Sequence, residues 1–182
     1  MTSFAMTSTR SPFLKLLFPL VALLFVGCSR SEVDSASSGA IPYNTKIVFG
    51  QGGNSEPLKV TGWSKTEEKF TWTEGTSAQL RVQLPPANEP VVLKVKMAAL
   101  TKQPELPTQS VEVYINNQKI VEWHVADSAE FTAPMPNTIT KAGGPVLIEF
   151  RTPQATSPKA LGLSADPRIL GVCCVDLEFS KG

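Results

Sequence analysis

Few residues in this sequence carry the chemistry that catalysis requires. The only histidine is His124, in the middle of an alternating segment, and no Gly-x-Ser-x-Gly motif supplies a nucleophile. Cys173 and Cys174 are adjacent, so they lack the Cys-x-x-Cys spacing of a zinc site, and the sequence contains no aspartate-rich calcium loop. We therefore expect no enzyme activity, no metal and no cofactor.

Paired carboxylates occur at Glu67 and Glu68, with Glu74 close by. A glycosidase holds two carboxylates roughly 5–10 Å apart across a sugar-binding cleft. Adjacent carboxylates in a polar turn are more often simply solvated, so this pair does not predict hydrolysis.

Aromatic residues on either side of the same polar turn favour a binding function. Trp63 and Trp72 flank it, and sugar-binding sites stack an aromatic plane on a pyranose while carboxylates and arginines bond its hydroxyls. We predict a ligand-binding site formed by Trp63, Glu68, Trp72 and Arg168. The alternative is that the tryptophans fill the core and that Arg168 ties its own loop through Asp166.

Short alternating segments separated by Gly, Pro and Asn must position these residues. The clearest segments are Ala78–Leu84, Val91–Ala99, Val111–Ile115, Lys119–Val125 and Val146–Arg151, and Asn116-Asn117 predicts a tight hairpin turn. No segment has the period of an amphipathic helix. The pattern predicts one all-β domain over residues 46–182, a jelly-roll-like or galactose-binding-like β-sandwich of about eight antiparallel strands.

Strict alternation along the last strand assigns the two adjacent cysteines to opposite faces. Cys173 is expected to point to the core with Leu177 and Phe179, and Cys174 to share the polar face with Asp176. A disulfide between neighbours would break the strand, so we expect free, buried thiols.

The N-terminal region is typical of a secreted protein. Basic residues precede the apolar run from Leu16 to Val26, which is too short to span a bilayer, and Gly27 and Cys28 follow it. This run resembles the bacterial lipoprotein signal, which implies cleavage after residue 27 and acylation of Cys28. An ordinary secretory signal or an uncleaved anchor is the alternative. Residues 28–45, rich in Ser and Ala, are predicted to be a lipidated cysteine followed by a flexible tether.

Two further stretches resemble one family. The first runs from Gly62-Trp63-Ser64 through Phe70-Thr71-Trp72-Thr73 to Gly75, and the second is the string from Thr156 to Val172. Together they resemble an uncharacterised β-sandwich domain appended to some bacterial membrane sugar-transferase-like proteins and similar in plan to carbohydrate-binding modules. The resemblance implies a fold more strongly than an activity.

These observations lead to one functional hypothesis and one alternative. The first is a bacterial lipoprotein with a non-catalytic module that binds a cell-envelope or extracellular glycan. The alternative is a scaffolding or assembly lipoprotein that binds an envelope protein or a polysaccharide-synthesis machine. The resemblance implies attachment to the cell envelope through acyl chains. In a Gram-negative cell the outer membrane is favoured, because Ser29 rather than aspartate follows Cys28. A net charge of +1 with scattered basic residues excludes nucleic acid as an expected partner.

Overall fold

Two antiparallel β-sheets contain about half of the residues that the computed structural model describes, residues 39–181. The first sheet contains β1 (Lys46–Val48), β3 (Thr71–Glu74), β5 (Val91–Ala99), β8 (Ala129–Pro134) and β10 (Leu170–Lys181). The second sheet contains β2 (Lys59–Thr61), β4 (Ser77–Leu84), β6 (Gln109–Ile115), β7 (Gln118–Val125) and β9 (Gly144–Arg151). Helical structure in the described region is limited to a short 3-10 turn (Glu56–Leu58) and α1 (Asn137–Ala142). The predicted all-β sandwich is confirmed.

The described residues form ten strands, where the sequence predicted about eight. β8 has no predicted counterpart, because only one of its residues, Ala133, is buried. The other strands without one are in the N-terminal half, where β1 and β2 have only three residues each and β3 only four. Such short strands contain too few alternations to be recognised from periodicity. The longer strands follow the predicted pattern, and the hairpin between β6 and β7 turns through Asn116 and Asn117, both at positive φ.

The hydrophobic core lies between the two sheets. Alternate residues of the central strands are fully buried there, among them Leu80, Leu93, Ile148 and Phe150. Burial of these inward-facing side chains, of ~1.5–3 kcal/mol each, is the main force that holds the sheets together.

β10 is the longest strand and organises the first sheet. One edge of β10 pairs with β5 over most of the length of β10. The other edge pairs with β3 near the start of β10 and with β1 nearer its end. The hairpin that contains Trp63 and Trp72 is therefore placed beside the first half of β10.

A β-bulge in β10 reverses the predicted orientation of the two cysteines. The register between β10 and β5 shifts between Cys174 and Asp176, so Val175 is an extra residue that interrupts the alternation. Cys174 consequently lies in the core with Leu177 and Phe179, while Cys173 lies on the outer face, opposite Trp72. The predicted faces were wrong, although both thiols are free and buried.

The sandwich has two distinct ends. At the entry end, where the described chain begins, the Asn44 N–H donates to the Phe179 carbonyl at 2.8 Å and the Ile41 N–H to the Gln83 carbonyl at 2.8 Å. At the far end, the Gly75 N–H donates to the Ile169 carbonyl at 2.8 Å. The twelve residues of β10 separate the two ends by about 35 Å.

The predicted signal segment, Cys28 and most of the predicted tether lie outside the described residues. The described end of the tether contacts the sandwich: Ile41 and Tyr43 pack against the core, and the Tyr43 hydroxyl donates to the Pro85 carbonyl at 2.7 Å. Between residues 39 and 181, no helix is long and apolar enough to cross a membrane.

Candidate functional site

A hairpin between Trp63 and Thr73 forms one side of the candidate site. The two residues face each other in an antiparallel bridge, and the Ser64 N–H donates to the Trp72 carbonyl at 3.0 Å. A tight turn closes the tip, where the Glu67 N–H donates to the Phe70 carbonyl at 2.9 Å. The polar segment between the two tryptophans is therefore a compact hairpin tip.

Phe70 and Trp72 form an aromatic pair beside this tip. Their ring centroids are 5.8 Å apart and the ring planes meet at 82°, an edge-to-face arrangement. Thr71 and Thr73 alternate with them and are fully buried, so the two aromatic side chains lie on the outer face of the first sheet, both half-buried. Part of each ring is thereby left open to a ligand.

Arg168 approaches the tip from the other side. Its Nε lies 3.0 and 3.1 Å from the two Asp166 carboxylate oxygens, and its Nη2 donates to Asp166 Oδ2 at 2.6 Å. The same Nη2 lies 3.8 Å from Glu67 Oε1. The hydrogen bonds from the Arg168 side chain and backbone N–H hold the pKa of the Asp166 carboxyl below its ordinary value.

The loop that presents Arg168 is the second stretch on which the family resemblance rests. An antiparallel bridge between Thr156 and Leu170 closes its base. Inside the loop, the Ser157 hydroxyl accepts from the Ala160 N–H at 3.0 Å, and the Lys159 N–H donates to the Asp166 carbonyl at 2.9 Å. The loop is therefore tied to itself and holds the Asp166–Arg168 pair in place.

Two of the four predicted site residues, Trp72 and Arg168, lie near Glu67. Arg168 Nη2 is 3.8 Å from Glu67 Oε1, and Trp72 faces Cys173, whose thiol pKa is raised by burial and, to a smaller extent, by the charge of Glu67. Trp72, Arg168 and Glu67 therefore occupy one region of the outer face.

The other two predicted residues are placed differently. Trp63 packs against the core, with its ring centroid 5.1 Å from Phe49 and 6.4 Å from Phe150, and its Nε1 donates to the Gln79 carbonyl at 2.8 Å. Glu68 is exposed at the tip.

Phe70 and Glu67 were missed by the sequence reasoning. Phe70 precedes Trp72 by two residues, so strand alternation places both on one face and was a usable signal. Arg168 lies near Glu67 rather than Glu68 because of the turn at the hairpin tip, and the sequence pattern does not show how that turn orients the two side chains.

The side chains of the candidate site are suited to binding a ligand. Within residues 39–181, no three His, Cys, Asp or Glu side chains lie close enough to hold a metal ion. His124 is exposed on β7, opposite Ser110 and remote in the fold from the hairpin tip. What the site offers a ligand is a half-open aromatic pair bordered by a guanidinium and carboxylates in fixed positions.

Comparison with known proteins identifies no family for this chain: no family model matches, and no curated protein matches. Among solved structures, a carbohydrate-binding module described as CBM36 in complex with calcium and xylotriose is 16% identical, with a TM-score of 0.43, and the match covers 75% of this chain and 99% of that one. A family 35 carbohydrate binding module from an environmental isolate is 10% identical, with a TM-score of 0.38 and coverage of 80% and 90%. An acetyl xylan esterase from the rumen bacterium Butyrivibrio proteoclasticus is 12% identical, with a TM-score of 0.43 and coverage of 79% and 34%.

Proposed function

We propose that this protein is a membrane-anchored bacterial lipoprotein whose β-sandwich is a non-catalytic module that binds a cell-envelope or extracellular glycan. The observation that carries the proposal is the half-exposed Phe70–Trp72 pair beside the Asp166–Arg168 ion pair and Glu67. An aromatic face accepts the apolar face of a sugar ring, and fixed charged groups bond its hydroxyls.

The rigidity of the site supports this function. Arg168 is held by Asp166 through three side-chain contacts, and the hairpin tip is closed by a backbone hydrogen bond at Glu67. Groups that are already ordered lose little conformational entropy when a ligand binds. Weak contacts with a hydrated sugar can then yield measurable affinity.

A glycan array with the wild-type protein and two variants tests the proposal. Trp72→Ala removes the ring that we expect to stack on the sugar, so a saturable hit of the wild type should be lost. Tyr114→Ala is the matched control, because Tyr114 is a half-buried aromatic residue on the outer face of the other sheet. The Trp72→Ala protein must keep a cooperative melting transition for the loss to count.

The same array distinguishes the alternative function. A folded wild-type protein that binds no glycan on the array would contradict the proposal and favour a scaffolding lipoprotein. Crosslinking in cells, followed by purification of one defined envelope protein, would then be the expected result.

The lipid anchor has its own test. Cells labelled with an alkyne fatty acid should give a labelled wild-type protein, whereas Cys28→Ala should be unlabelled and remain uncleaved. Label on the Cys28→Ala protein would show that the lipoprotein signal has been misidentified.

A further inference from the structure

Three polar side chains occupy core positions at the far end of the sandwich. Gln109 begins β6, Thr73 lies in β3 and Thr152 directly follows β9. Each of these residues is 0% exposed. Because a buried polar group is costly unless it is hydrogen-bonded, each donor and acceptor of these side chains needs a partner.

The side-chain amide of Gln109 is bonded at only one of its two ends. Its Nε2 donates to the Leu100 carbonyl at 2.8 Å and lies 3.5 Å from the Leu170 carbonyl oxygen. The Leu100 carbonyl can only accept, which fixes the end of the amide that carries the nitrogen. The Gln109 Oε1 is buried and accepts no hydrogen bond from residues 39–181. A donor from outside the protein is therefore needed at Oε1.

The Thr152 hydroxyl is the second buried group of this kind. Its Oγ1 makes no hydrogen bond within the described chain. The Thr152 backbone is nevertheless fixed, because its N–H donates to the Thr76 carbonyl at 2.9 Å and its carbonyl accepts from the Ala155 N–H at 3.0 Å. A threonine side chain has few rotamers, so its hydroxyl has little freedom to find another partner. A hydroxyl can both donate and accept, so it suits either kind of ligand atom.

These side chains converge on the start of β10. Gln109 reaches the Leu170 carbonyl, and a Cβ added at Gly171 would lie 2.5 Å from Thr152 Oγ1 and 2.8 Å from Thr73 Oγ1. Any side chain at position 171 would overlap both hydroxyl groups, so glycine is required there. The two hydroxyls and the Gln109 amide therefore surround one short segment of the chain.

Strand register also makes Gln109 and Thr152 neighbours. Glu112 pairs with Arg151, the residue before Thr152. Continued by one step, this register places Thr152 beside Val111, and Gln109 is the next residue on the same inward face of β6. Diagonal neighbours on one face of a sheet lie ~7–8 Å apart, a gap that two polar side chains and one small molecule can fill. Neutral oxygens do not offset the charge of a metal ion, whereas water needs no counter-charge.

We propose that one buried water molecule is bound here, donating to Gln109 Oε1 and hydrogen-bonded to Thr152 Oγ1. Buried waters typically make ~3 hydrogen bonds. The third partner is the Thr73 hydroxyl, whose oxygen accepts from the Val172 N–H at 3.0 Å and whose proton is free to be donated. The loop that presents Arg168 begins after Thr152 and ends at the start of β10, so the water joins the base of this loop to β6. This inference is independent of the proposed glycan-binding function.

ROESY spectra of the labelled full-length protein test for the bound water in solution. The Gln109 side-chain amide protons should show a cross-peak to water with the sign of a dipolar contact, which is opposite to that of chemical exchange. Thr152→Val keeps the shape of the side chain but removes the hydroxyl. The cross-peak should then be lost, and the folding equilibrium constant should fall about tenfold. Thr140→Val, at a similarly buried threonine on α1, is the matched control and should leave the cross-peak unchanged.

A crystal structure of the wild-type protein gives the position directly. One ordered water within hydrogen-bonding distance of both Gln109 Oε1 and Thr152 Oγ1 is the expected result. A direct hydrogen bond from a protein donor to Oε1, or the absence of ordered water between the two atoms, would overturn the proposal. So would a cross-peak that persists in Thr152→Val, or a Thr152→Val protein at least as stable as the wild type. The wild-type spectra and crystal decide the question even if Thr152→Val does not fold.

Discussion

Replacing Gly62 by alanine tests whether a close contact between Gly62 and β4 fixes the position of the hairpin that carries the candidate site. Gly62 lies where the chain leaves β2 in the second sheet and enters the hairpin that pairs with the first. Its φ is +75°, and an added Cβ would lie 1.9 Å from the Ser77 carbonyl oxygen and 2.7 Å from the Ala78 Cα. Both atoms belong to β4, which is held on its two sides by β2 and β9. Alanine at this position therefore cannot be accommodated by moving a flexible side chain.

Two separate costs add at this position. The left-handed backbone conformation costs an alanine ~1–2 kcal/mol. Relief of the overlap requires a backbone shift in a packed sheet, for which overpacking in cores indicates ~1–3 kcal/mol more. We expect Gly62→Ala to lower the free energy of unfolding by about 3–4 kcal/mol and the melting temperature by ~10 °C.

Gly75→Ala is the matched control for the Gly62→Ala protein. Gly75 has a φ of +87°, but no heavy atom lies within 4 Å of an added Cβ. Alanine there carries the backbone cost alone, ~1–2 kcal/mol. Urea denaturation of the two variants should therefore show a markedly larger loss for Gly62→Ala. Equal losses would refute the steric argument, and with it the view that the contact with β4 fixes the hairpin.

Three further predictions follow from burial and charge. Trp63→Ala should lower the free energy of unfolding by ~3 kcal/mol and Trp72→Ala by ~1, because only Trp63 packs against the core; a larger loss for Trp72→Ala in urea denaturation would contradict this. The lowered pKa of Asp166 means that its bonds to Arg168 stabilise the protein above the unfolded-state pKa of ~3.9 and are lost as the pH falls through the folded-state value. Asp166→Asn should therefore melt below the wild type at pH 7, with a difference that shrinks toward pH 2 in scanning calorimetry; a constant difference would exclude this linkage. Burial raises the pKa of the Cys173 and Cys174 thiols, so DTNB should modify the folded protein slowly, with Cys173 ahead of the fully buried Cys174, as mass spectrometry can show; equal, rapid modification would contradict the assigned orientations.

The strands that the sequence predicted well are those whose burial is decided locally. β4, β5 and β6 alternate between core and solvent over seven to nine residues, so their periodicity is visible without knowledge of their partners. In β7 the alternation is limited to the last residues, where Trp123 and Val125 are buried. The hairpin at Asn116-Asn117 is equally local, because its turn requires only residues that tolerate positive φ.

Features that depend on distant parts of the chain were not predictable. The bulge at Val175 is visible only in the register between β10 and β5, and it moved each cysteine to the face opposite the expected one. Whether Trp63 or Trp72 packs against the core depends on how the hairpin crosses from one sheet to the other, which is set by Gly62 and β4. The sequence therefore identified both tryptophans but did not show which of them packs against the core.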